Sequence, residues 1–134
     1  MQSKPQLLIF ATCDGVHVEP STGKHYLMGI FSSLRARDFP VVHPQMVWFI
    51  SLTDVSVGEH TLNLSLGLPG MQPLMSVSRP FESKSPLHRI HIINQLQNVH
   101  FDQPGDYTAA IEVDDEPILV TSFGVIALGN PPTL

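Results

Sequence analysis

Between Thr61 and Leu68 the chain reads Thr-Leu-Asn-Leu-Ser-Leu-Gly-Leu, with leucine at every even position and a small polar residue or glycine at every odd one. Successive side chains of a strand point to opposite faces, whereas a helix would scatter these leucines around its circumference. The pattern therefore predicts a strand with one face in a core and the other in water. Tyr107 to Val113 follows the same rule, with Tyr107, Ala109, Ile111 and Val113 sharing a face. Asp114-Asp115 then reads as a tight turn and Glu116 to Phe123 as the returning strand. A two-residue loop pairs Val113 with Glu116, Ile111 with Ile118 and Ala109 with Val120, so that the apolar faces coincide. Asp tolerates the left-handed backbone that such a loop needs.

Further strands are expected from apolar runs. Gln6 to Cys13 and Val47 to Leu52 are almost continuously apolar, as suits strands near the middle of a covered sheet. Lys24 to Phe31 follows the turn Pro20-Ser21-Thr22-Gly23 and is placed in a hairpin with the first strand. Leu87 to Ile93 alternates in part, with Ile90 and Ile92 on one side, and a short strand over Leu74 to Ser78 precedes it. Ser32 to Arg37 and Asn94 to Asn98 are the two stretches with the character of a helical turn.

Twelve prolines and nine glycines fall mostly between these runs and leave little room for long helices. Seven or eight short antiparallel strands in 134 residues predict one all-β domain, an antiparallel β-sandwich of immunoglobulin-like type. Pro104-Gly105-Asp106-Tyr107 has the form of the corner at which a sandwich strand changes sheets and a tyrosine hydroxyl caps nearby backbone. With a single cysteine there is no Cys-Trp-Cys pattern, so Trp48 is read as plain core.

Several of these segments together are similar to a known group. Cys13-Asp14, Gly23-Lys24, Leu27-Met28-Gly29-Ile30-Phe31, Phe39-Pro40-Val41-Val42-His43-Pro44, Gly58-Glu59-His60-Thr61 and Pro104-Gly105-Asp106-Tyr107 resemble an uncharacterised group of small bacterial β-sandwich proteins, known as a domain of unknown function. The resemblance spans nearly the whole chain and departs from the expected Asp-Gly turn at Asp114-Asp115-Glu116. It implies a fold and supplies no catalytic or binding residues.

Charge narrows the partners. The formal net charge is −5 with seven Lys and Arg, and the densest basic cluster, Arg35-Ala36-Arg37, is offset by Asp38. Nucleic acid and anionic membrane surfaces are therefore not expected partners. The longest apolar runs, Leu7 to Ala11 and Met46 to Ile50, fall far short of the ~20 residues of a membrane-spanning helix. Phe10-Ala11-Thr12-Cys13 follows too short a run to be a lipoprotein cleavage site. One unpaired Cys13 suits a reducing compartment, so a cytoplasmic address is expected.

Candidate chemistry is sparse. His17, His25, His43, His60, His88, His91 and His100 invite a metal reading, yet no His-x-His pair occurs, and on a strand His88 and His91 would face opposite ways. His17 with Glu19 and His100 with Asp102 share parity and would need the tertiary fold to converge. No Gly-x-Ser-x-Gly elbow, His-Glu-x-x-His helix or glycine-rich phosphate loop is present. Cys13 lies in an apolar strand and reads as a buried thiol. Glu112, Asp114, Asp115 and Glu116 are the one dense acidic group, a possible calcium loop but better read as a solvated hairpin tip. No catalytic, cofactor-binding or metal residue is assigned, and no cofactor is expected.

Charged residues make up 14% of the chain, against about 25% in a typical soluble domain. Few lysines are left to guard sheet edges. The expected role is thus a non-catalytic binding or assembly module that uses a sheet face, an edge or loops to self-associate or to bind a protein partner. A small-ligand binder for sugar or peptide, using Phe39 to Pro44 with Trp48 or Phe81, is the alternative, and a hydrolase built from scattered histidines is the third reading.

Overall fold

The computed structural model describes residues 4–129. Among them there is no helix and there are nine strands: β1 (Gln6–Val18), β2 (His25–Ile30), β3 (Ser33–Ala36), β4 (Val41–Thr53), β5 (Gly58–Gly67), β6 (Met75–Ser83), β7 (Ile90–Phe101), β8 (Gly105–Val113) and β9 (Glu116–Ala127). They form a four-stranded sheet ordered β2-β1-β4-β7 and a five-stranded sheet ordered β3-β9-β8-β5-β6. Met46, Trp48, Ile50, Leu52, Ile92 and Leu96 of the first sheet meet Leu62, Leu64, Leu66, Ala109, Ile111 and Val113 of the second in one buried cluster. Each fully buried leucine contributes about 1.5–3 kcal/mol of transfer free energy, so the alternating run of β5 is a principal source of stability.

The strand count exceeds the seven or eight expected, and one pair is parallel rather than antiparallel. Ser33–Ala36, within the stretch read as a helical turn, instead runs parallel to Gly124–Ala127 of β9. Asn94 to Asn98 likewise belongs to β7, where Asn94 and Leu96 turn inward while Gln95 and Gln97 face water. Pro86 to His88 is a turn rather than strand, so β7 begins at Ile90 and continues to Phe101. β6 runs beyond Ser78 and through Pro80, which is tolerated because β6 is an edge strand.

The β8–β9 hairpin has the expected two-residue loop. Asp114 and Asp115 both have positive φ, 52° and 66°, and Val113 pairs with Glu116. Beyond it the register differs from expectation. Glu112 pairs with Pro117 but Ile111 with Leu119, and Ala109 faces Thr121 rather than Val120. Pro117 offers no N–H to the ladder, and Ile118 is accommodated as a bulge. That single extra residue turns Val120 out to solvent, 65% exposed.

Where the chain crosses from β7 to β8, and so between sheets, the Tyr107 hydroxyl donates to the Gln103 carbonyl at 2.6 Å. The ring is 2% exposed and meets Phe101 edge-on. This is the tyrosine corner that Pro104-Gly105-Asp106-Tyr107 predicts.

β1 changes partner at Cys13. Up to that residue it pairs with β4, and from it onward with β2. In a flat sheet the register would separate His25 from Phe49 by seven residue steps, roughly 23 Å. Their ring centroids are instead 5.6 Å apart. The hairpin made by the second half of β1 and β2 therefore folds back over the outer face of β4, and every residue of β4 from Met46 to Leu52 is buried, on both faces. Gly29 permits the bend: its φ is +67°, and the Asp14 carboxylate packs where a β-carbon would stand.

Candidate functional site

The two long sides of the sandwich close differently. On one side lie the edges of β6 and β7, and Arg79 of β6 reaches across to β7. Its Nη1 donates to the Ile93 carbonyl at 2.7 Å and to Asn94 Oδ1 at 3.2 Å, so a cationic side chain bridges this seam.

On the other side β1 and β9 approach without pairing. β3 covers only Gly124–Ala127 of β9, which leaves Glu116–Phe123 with β8 as its one neighbour strand among the described residues. Gln6–Ala11 of β1 likewise has β4 alone among the described residues, whereas the Thr12 carbonyl already accepts from the Phe31 N–H at 2.9 Å. A cavity of about 200 Å³ opens in this seam, lined by Phe10, Ile30, Phe31, Thr121 and Phe123. A second, of about 330 Å³, opens at its far end among Lys4, Ser56, His60, Asp114 and Ile118. Exposed apolar side chains stand on the open strands and at the cavity: Leu8 and Ile9 on β1, Val120 on β9, and Ile30 of β2 in the cavity lining.

Along the open stretch neither Gln6–Ala11 of β1 nor Pro117–Phe123 of β9 carries a charge, and Glu116 at the start of β9 is the one acid beside them. The guards present are a bulge at Leu8, where the register slips between Leu7 and Ile9, and Pro117 at the start of β9. Past Pro117 the outer edge of β9 pairs with no strand among the described residues and lies beside an apolar cavity, the arrangement that accepts an added strand.

At the lower end of the seam His60 is held by two acceptors. Its Nδ1 lies 2.5 Å from Asp114 Oδ2 and its Nε2 lies 2.6 Å from the Ser56 carbonyl, while the ring stacks on Phe81 at 5.5 Å. Burial works against charge on His60, but the hydrogen bonds it donates to Asp114 and the Ser56 carbonyl and the Asp114 charge outweigh it and raise the His60 pKa. For Asp114, burial is overcome by the His60 hydrogen bond, the Thr61 N–H and the His60 charge, and its pKa falls. With acceptors on both nitrogens the ring is suited to be a doubly donating imidazolium. It has no nitrogen free to take a proton from a nucleophile, so the pair is a latch between β5, the loop before it and the β8–β9 turn.

Other candidate residues remain apart. Trp48 is fully buried and Phe81 packs against the core, so they form no aromatic platform with Phe39 to Pro44. Cys13 is fully buried, and burial raises its pKa, which keeps the thiol protonated and inert. His17 and Glu19 meet at 3.7 Å on the surface. Within the acidic group, Asp114 is engaged by His60 and Thr61, and Asp115 accepts from Asn63 at 3.4 Å, so the turn is more tied down than a freely solvated tip. No group of three or more metal-ligating side chains is gathered among the described residues, and no helix among them is long and apolar enough to cross a membrane.

Compared with known families, residues 8–126 match the family of unknown function DUF6941. The chain belongs to this family. The DUF6941 match runs from β1 almost to the end of β9, so both strands of the open seam lie within the family domain. A search of the curated proteins returns no match.

Proposed function

We propose that this DUF6941 domain is a non-catalytic protein-binding module that takes an extended segment of another polypeptide as an added strand along β9. The observation that carries the reading is the uncharged edge of Pro117–Phe123, which has one neighbour strand among the described residues and adjoins the aromatic cavity of Phe10, Phe31 and Phe123. Backbone hydrogen bonds would supply register and affinity, and the cavity would select an apolar side chain on the guest. The Tyr107 corner supports an immunoglobulin-like sandwich as the scaffold, and the buried unpaired Cys13 supports a cytoplasmic setting.

A display library of random peptides provides the test. Selected binders should alternate apolar and polar residues and lose affinity by about tenfold or more to Val120→Lys, which places a lysine guard on the edge. Binders that tolerate Val120→Lys as well as the parent would overturn the assignment. Concentration-dependent light scattering that is abolished by the same substitution would identify a second copy as the guest.

A further inference from the structure

The hairpin folded over β4 is held by aromatic and apolar contacts. His25 on β2 meets His91 on β7 at a centroid distance of 4.8 Å and Phe49 on β4 at 5.6 Å, and His91 stacks on Phe49 at 5.7 Å and 15°. Beneath the hairpin, on the outer face of β1 and β4, lie Cys13, Val47 and Phe49, all buried. We propose that this hairpin is an acid-released flap: protonation of His25 and His91 sets like charges across its contact with the sheet, and the hairpin lifts to uncover Cys13 and Phe49.

The surrounding charges favour release. Arg89, just before β7, and Lys24, next to His25, have the same sign as the protonated rings. β4 contributes the uncharged Phe49. On the β1 strand of the hairpin, His17 contacts Glu19 and Tyr26. The Glu19 carboxylate is occupied by Ser21 in the turn. Burial, His25 and Arg89 all lower the His91 pKa, so the closed flap favours the neutral ring. A depressed histidine stabilises closure above the ordinary value and loses that contribution as pH falls below it. Closure is therefore firm at neutral pH and weakened in acid. This inference rests on contacts remote from the β9 edge and stands independently of the binding role.

Cys13 reports the opening. Its rate of modification by 4,4′-dithiodipyridine, which remains reactive in acid, is measured at about pH 7 and about pH 5 alongside far-ultraviolet circular dichroism. The parent should gain about three- to fivefold in acid relative to His91→Phe, with the sheet signal unchanged. Should His91→Phe fail to fold, His25→Phe tests the same contact. A parent-to-variant rate ratio that does not rise between these pH values, or a rise accompanied by loss of sheet signal, would overturn the flap, the ratio cancelling the fall in thiolate that acid imposes on both proteins.

Discussion

His60 and Asp114 stand 54 positions apart in the chain and 2.5 Å apart in space. The contact joins β5 to the β8–β9 turn, and a second bond, from the Thr61 N–H to Asp114 Oδ1 at 2.9 Å, runs beside it. Asp114 therefore ties the β8–β9 turn to β5 and borders the lower cavity of the seam.

Replacing Asp114 with Asn removes the charge from both bonds. Hydrogen bonds to charged groups contribute about 1.5–3 kcal/mol, and because Asp114 is partly exposed the expected loss is about 1–2 kcal/mol. Urea unfolding checks it: the midpoint should fall with no change of slope.

The same pair sets a pH window. His60 has a raised folded pKa, so its contribution is complete below the ordinary histidine value of 6.5 and is lost as pH rises through the folded value. Asp114 has a lowered one, so its contribution is complete above 3.8 and is lost as pH falls through the folded value. Stability from the latch is greatest between these limits. Subtracting the Asp114→Asn stability profile from that of the parent should reveal a rise and fall with those signs.

Tyr107→Phe deletes the hydroxyl that caps the Gln103 carbonyl. The expected cost is about 1–2 kcal/mol by chemical denaturation, with the sheet signal retained. A neutral result would show that the corner contributes geometry without stability.

Gly29→Ala forces a left-handed backbone onto an L residue and drives its β-carbon into the Asp14 carboxylate. The backbone penalty alone is about 1–2 kcal/mol. The flap should loosen, and Cys13 should become reactive at neutral pH where the parent is protected.

Much of this fold was legible from alternation alone. The leucines of β5 and the Tyr107–Val113 face of β8 read correctly because each strand has one wet side, and Asp114-Asp115 was readable as a turn because aspartate accepts positive φ. β3 was not legible, because four residues held in parallel by β9 have no periodicity to display. The register beyond Pro117 was hidden by a bulge, which shifts pairing without changing composition. The double burial of β4 was visible as a continuous apolar run, but the identity of its cover was not, since that depends on a bend at Gly29. The His60–Asp114 pair left no local trace, as the two residues meet only through strand order. The low charge of β1 and β9 was visible in the sequence, whereas their meeting as an open seam required the topology.

Val120→Lys should leave folding stability within about 0.5 kcal/mol of the parent, because the side chain it replaces already faces water. A larger loss would mean that Val120 packs against part of the domain itself.

Backbone amide exchange along β9 is the most direct test of strand addition. In the free monomer, amides between Ile118 and Ser122 that point away from β8 should exchange quickly while their neighbours are protected, and a peptide selected as above should slow the fast set. Uniformly slow exchange in the free protein, or no slowing when the peptide binds, would contradict an open edge that accepts a strand.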